Sequence, residues 1–220
     1  MSTYSLTAMT AGAIVAGSAS GQTLVTGGQT SVLLDTATLS SAASLDLSGV
    51  SGPVISPGTI PGSVAFPINT RSAPSLPTTF AYDASNFLGT FSGTIEHEGS
   101  VLFNNDTVEV GNFTIGFDGA RAGTLGGNAS GFFVESTTGI AAILFDIENP
   151  TTLDATPGSL TIGANLLVSP EFGQFLLDNA LSSSNLQGAD VGDALVEAIP
   201  APSSAALLGL AGLAAARRRR

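Results

Sequence analysis

The sequence predicts a mainly β fold: an antiparallel sandwich-like domain, of jelly-roll or related type, carrying one short amphipathic helix. Three observations lead there. Apolar and polar residues alternate with period two again and again between Phe80 and about Val168. Turn clusters (Gly-Gly-Asn, Thr-Thr-Gly, Thr-Pro-Gly) interrupt that alternation at intervals of roughly ten to fifteen residues, the rhythm of short hairpin-linked strands. No strand–helix–strand alternation is visible, so nothing calls for a parallel sheet.

Taken in order, residues 1–21 are uncharged and end in small residues (Ala16, Ser18, Ala19), and they read as a secretory signal peptide that lacks the usual basic start. The β-rich body spans 22–199. From Gln22 to Val50, short apolar runs such as Thr23-Leu24-Val25 and Ser31-Val32-Leu33-Leu34 stand between Gly-Gly and Ser-rich breaks, predicting brief strands and turns. Six of the eleven prolines fall in residues 51–79. Proline cannot donate to a strand ladder, so this stretch reads as a long irregular connection, with Ser63 to Ile68 as its one short strand.

The alternation then becomes regular. Phe91, Gly93, Ile95 and His97 share one face, which the pattern buries, while Ser92, Thr94, Glu96 and Glu98 share the other. Val108, Val110, Phe113, Ile115 and Phe117 follow as inward residues, with Gly111-Asn112 as a bulge that restores phase. Phe132, Ile143, Phe145, Ile162 and Leu166 complete the expected core. Ser169-Pro170-Glu171 supplies an N-cap, a proline at the first helical position and an acid in the first turn, and Phe172, Phe175 and Leu176 form an apolar face behind them. A final alternating run, Asp193 to Ile199, predicts the last strand.

The C-terminus has a different character. Pro200-Ala201-Pro202 is followed by an uncharged Ala/Leu/Gly-rich segment, residues 203–216, and then by Arg217, Arg218, Arg219 and Arg220. As a helix the segment would be about 21 Å long against a hydrocarbon core of about 30 Å, a short span, and an arginine cluster resists translocation and stays cytoplasmic. Proline motif, hydrophobic helix and arginine tail, in that order, resemble the PEP-CTERM sorting signal of Gram-negative bacteria, with Ala201 where the family usually has Glu. The resemblance covers residues 200–220. It implies an exported protein, tethered transiently in the inner membrane and processed by an exosortase. Motifs of the body such as G-T-I-E-H-E-G-S and V-G-N-F-T-I-G-F-D are loosely similar to the bodies of some secreted members, with no activity attached.

Composition narrows function mainly by exclusion. There is no lysine and four of the six basic residues sit in the tail, so Arg71 and Arg121 face seventeen acids and the body carries about −15. Such a surface repels nucleic acid. The absence of cysteine removes disulfides, zinc–thiolate sites and thiol nucleophiles. The acids Asp106, Asp118, Asp146, Glu148 and Asp154 fall at expected strand ends and turns, which makes them calcium candidates, although no Asp-x-Asp-x-Asp-Gly loop is present. In Glu96-His97-Glu98 the histidine points away from both glutamates, so the three cannot converge, and His97 reads as structural. Asp146 with Glu148 and Asp106 with Glu109 are carboxylate pairs of the kind glycosidases use, but the chain has no tryptophan to make a sugar platform. No catalytic residue and no cofactor are expected. The leading expectation is an exported, non-enzymatic protein of the cell surface or exopolysaccharide matrix. The alternatives are an extracellular calcium-dependent or carbohydrate-binding module and, behind it, an exported hydrolase.

Overall fold

The structure, a computed structural model, describes residues 21–201. The expected signal peptide, save Gly21, and the sorting segment from Pro202 onward therefore lie outside the described residues. Twelve strands run in chain order as β1 (Thr23–Leu34), β2 (Leu47–Ser51), β3 (Val64–Pro67), β4 (Ala81–Tyr82), β5 (Ile95–Glu96), β6 (Ser100–Phe103), β7 (Val108–Phe117), β8 (Ala129–Gly139), β9 (Ala142–Glu148), β10 (Thr152–Ala155), β11 (Leu160–Val168) and β12 (Asp190–Pro200). Among the described residues three α-helices interrupt them, α1 (Thr36–Ala43), α2 (Phe87–Thr90) and α3 (Pro170–Asp178), together with a 3-10 turn at Leu125–Gly127.

All pairings are antiparallel, as the alternation predicts. The expected two-layer sandwich is realised differently, as one sheet in the order β2, β6, β7, β8, β9, β11, β12, β1, β3, with β10 added on β11, β4 on β1 and β5 on β7. The sheet curls until its flanks meet. On one side the segments around β3 and β4 extend β1. On the other side β5 extends β7. They are joined by isolated bridges Ile68–His97 and Ala81–Ser92 and by Asn69 N–H to Glu96 O (2.8 Å) and Phe80 N–H to Thr94 O (3.0 Å). Phe66 of β3 and Phe113 of β7, distant along the sheet, consequently meet edge to face at 5.1 Å across the interior. A curled sheet buries its apolar face against itself, so it needs no second sheet to cover it.

Backbones approach closely at Gly28 in β1. It sits at φ +120°, and a Cβ there would lie 2.2 Å from Glu197 O of β12, so only glycine lets the β1–β12 ladder pass this point.

The helix expected after Val168 is α3. Ser169 caps it by accepting from Phe172 N–H (3.0 Å), Pro170 opens it, and Phe172 and Leu176 are buried, Phe172 edge-on to Phe145 of β9. Two helices were not anticipated. Asp35 caps α1 through Thr38 N–H (3.0 Å), and Leu39 and Ala43 of that helix enter the core, whereas α2 is a single turn. The proline-rich stretch contains β3 where a short strand was expected. The last strand, β12, is longer than predicted.

Of the expected core, Ile95, Val110, Ile115, Phe132, Phe145 and Leu166 are buried, and Phe91, Val108, Phe113 and Ile162 pack against them. Two positions need correction. The β8–β9 register shifts between Val134 and Glu135, which leaves Leu144 without a cross-strand partner; Leu144 is fully buried and Ile143 falls outside the core cluster. Phe117, the last residue of β7, pairs with Phe132 of β8 yet is 42% exposed. Asn112 does take the left-handed region (φ 49°), at the place where β7 passes from pairing with β6 to pairing with β5.

Candidate functional site

Strand parity turns His97 inward, beside Ile95, at the seam where the sheet flanks meet. It is 2% exposed. Its Nδ1 lies 3.1 Å from Phe113 O and its Nε2 2.8 Å from Thr30 Oγ1. A carbonyl only accepts, so Nδ1 carries the proton and Thr30 donates to Nε2. Burial pushes the imidazole pKa down to about 4, so it is neutral at ordinary pH. Both nitrogens are spent on the fold. A void of about 70 Å³ adjoins them, and every other residue lining it is apolar. It has no polar atom left over to orient a ligand, and His97 is a structural pin.

A second polar centre lies outside the curl. Arg121, from the loop after β7, grips Asp146 of β9 with two bonds, Nε–Oδ1 at 2.6 Å and Nη2–Oδ2 at 2.9 Å. It also holds Glu171, in the first turn of α3, through Nη1–Oε1 (2.7 Å) and Nη2–Oε2 (2.9 Å). Its guanidinium sits 5.9 Å from the Phe133 ring centroid. The Asp146 side chain is 1% exposed and that of Glu171 44%. Hydrogen bonds to Glu171 and Asp146 raise the arginine above its already high range, and the bond from Arg121 holds Glu171 below the usual carboxylate value. This is a clamp that ties loop, sheet and helix together.

The clamp alters the reading of the acids. Asp146 is committed to Arg121. Asp118 stays in its own turn, accepting from Ala120 N–H (2.9 Å), and Asp106 occupies the exposed β6–β7 turn, where its N–H donates to Ser48 Oγ (3.3 Å). Glu148 ends β9 half-buried, and Asp154 is exposed on β10. Among the described residues no three His, Asp or Glu side chains are grouped as a cation would require, so the five candidates are not brought together. Of the carboxylate pairs, Asp146 is held in the ion pair with Arg121, and Glu109 accepts from Ser100. Glu96 is buried despite facing away from His97, accepting from Thr114 Oγ1 at 2.6 Å.

An apolar surface feature lies at one end of the curled sheet. Antiparallel order brings to that end the finish of β7, β9 and β12 and the start of β8, β11 and β1. There an apolar groove of about 430 Å³ is lined by Phe87, Leu88, Phe91, Phe117, Phe132, Pro150, Leu153 and Ile162, with Ser130 and Asn149 as its polar residues. Leu88 is 72% exposed and Phe117 and Leu153 42% each. Phe91 meets Phe117 at 4.8 Å and Phe132 at 4.9 Å. Gly131, at φ +96°, makes the room: a Cβ there would lie 2.6 Å from the Phe117 ring. Sequence reasoning missed this groove, because Phe117 reads as core by parity and Leu88 belongs to no periodic run.

The chain leaves the body beside the groove. Pro200 pairs with Val25 and is buried, and Ala201 N–H donates to Leu24 O (2.7 Å). Leu24 neighbours Ala81 of β4 on its other side, and the next residue, Tyr82, packs edge-on to Phe87 at 5.5 Å. The first two residues of the expected sorting motif are thus docked on the sheet, while Pro202 and Arg217 to Arg220 lie outside the described residues. Among the described residues no helix is long and apolar enough to cross a membrane.

No protein-family model and no curated protein matches this chain. Solved structures to which it is similar include the crystal structure of the C-terminal domain of HtaA from Corynebacterium glutamicum, with 17% identity and a TM-score of 0.49 over 81% of this chain and 99% of that one. At that level of overlap the likeness implies no ligand and no activity here.

Proposed function

We propose that this is an exported, non-enzymatic protein of the cell surface or exopolysaccharide matrix, whose curled β body is delivered by the C-terminal sorting signal, held briefly in the inner membrane and freed by an exosortase. The observation that carries the reading is the junction at Pro200. The last strand ends there, and the proline motif, the apolar segment 203–216 and Arg217 to Arg220 follow at once. The arginines keep the far end cytoplasmic and leave the body outside. A non-enzymatic body fits the polar centres described above, each of which is used up in holding the fold: His97 by Thr30 and Phe113, Asp146 by Arg121.

Cell fractionation of a variant with Arg217 to Arg220 replaced by serine tests the reading. In a host with the exosortase, the natural chain is expected at the surface after passing through the inner membrane, and the variant is expected to lose its membrane-held intermediate. Identical distribution of the two proteins would sink the proposal.

A further inference from the structure

We infer that the groove end of the body is a lipid-contacting face, with Leu88, Phe117 and Leu153 seated in the headgroup region of a zwitterionic leaflet while the tail is inserted. This rests on the reading that residues 203–216 enter a membrane. Three features of the molecule then place the body. The strand ends at Pro200 and Ala201 is still hydrogen-bonded to Leu24, so only Pro202 and its immediate neighbours separate the folded sheet from the apolar segment. At about 3.5 Å per residue, the two steps from Ala201 to residue 203 give roughly 7 Å of slack, too little for the body to stand off from the surface.

The second feature is length. As a helix, fourteen residues would be about 21 Å long, some 9 Å short of the hydrocarbon core. A span that is too short thins the bilayer and draws its flanking residues down into the interface. The third is what those flanking residues bring. Ala201 is about two strand spacings, roughly 10 Å, from β4, whose Tyr82 touches Phe87 of the groove. The part of the body drawn toward the lipid is therefore the end with the exposed apolar side chains. Asp83, Asp118 and Asp154 flank that end, which disfavours an anionic leaflet and selects a zwitterionic one.

Hydrogen exchange of the full-length chain, free and mixed with phosphatidylcholine vesicles, tests this. The chain is expected to float with the vesicles, with amide exchange at Leu88 to Phe91 and Asn149 to Leu153 slowed roughly tenfold or more, and with the β6–β7 turn at the opposite end unchanged. Leu88→Asp combined with Leu153→Asp should leave flotation intact and remove the slowing. Flotation without any change at the groove would overturn the inference and leave the tail reading standing. Failure to float would overturn the tail reading and the inference together. Groove protection present before vesicles are added, or growing with protein concentration, would mean that the tail itself or a second copy covers the groove, and would overturn the lipid assignment.

Discussion

The two polar centres of this body solve opposite problems with different chemistry. His97 is enclosed by apolar side chains at the seam of the sheet, and it stays neutral there because burial drives its pKa to about 4 while one hydroxyl and one carbonyl satisfy the ring. Asp146 is as fully buried, yet it keeps an ion pair, since Arg121 grips both its oxygens and reaches out to the half-exposed Glu171. A neutral pin closes the sheet on itself, and a charged clamp fastens a loop and a helix to its outside. The lesson is that full burial alone does not decide how a polar group is satisfied. What decides it is whether a partner of opposite charge is in place.

That contrast can be broken in a graded way. Arg121→Met strands Asp146 as a buried, unpaired carboxylate, and the expected loss is about 3–5 kcal/mol of stability by urea titration. A loss below about 1 kcal/mol would mean that water reaches Asp146. The second effect is acid sensitivity at His97. The unfolded chain takes up the imidazole proton near 6.5 and the folded protein only near 4, so stability is full above 6.5 and falls as the pH drops toward 4, by about 3 kcal/mol in all. In His97→Gln that slope should be absent from a pH series of unfolding midpoints. Glu171→Gln comes third. Its side chain is half exposed, so water screens its bond to Arg121 and the cost should stay well under 1 kcal/mol. Smallest is the response to calcium. Because Asp106, Asp118, Asp146, Glu148 and Asp154 are not grouped, millimolar Ca²⁺ and NaCl of equal ionic strength should shift the melting temperature alike. A saturable, EDTA-reversible calcium shift would instead revive the binding-module alternative.

Much of the fold was legible because its signals are local. Alternation placed Ile95, His97, Val110 and Ile115 on the correct face, Ser169-Pro170-Glu171 announced α3, and β3 fell inside the proline-rich stretch where Ser63 to Ile68 alternates. The features that were missed depend on distance along the chain. One curled sheet and two stacked sheets share the same strand pattern, and only the pairing of residues 68–69 and 79–81 with 92–97 distinguishes them. Leu144 was hidden by a bulge, which reverses parity without any glycine or proline to mark it. The Arg121 clamp did leave a trace. One of only two arginines in the body, and an aspartate inside the apolar run Ile143-Leu144-Phe145-Asp146-Ile147, together ask for each other. The groove left none, since it is assembled from α2, residues of the four strands β7, β8, β10 and β11, and a turn.

The proposed function requires a β body carried by a removable address beginning at Pro200. Mass spectrometry of the mature protein from native cells measures it directly, by reading both termini. The expected surface or extracellular form lacks residues 1–21 and Arg217 to Arg220. An extracellular protein that retains the intact arginine tail would contradict it.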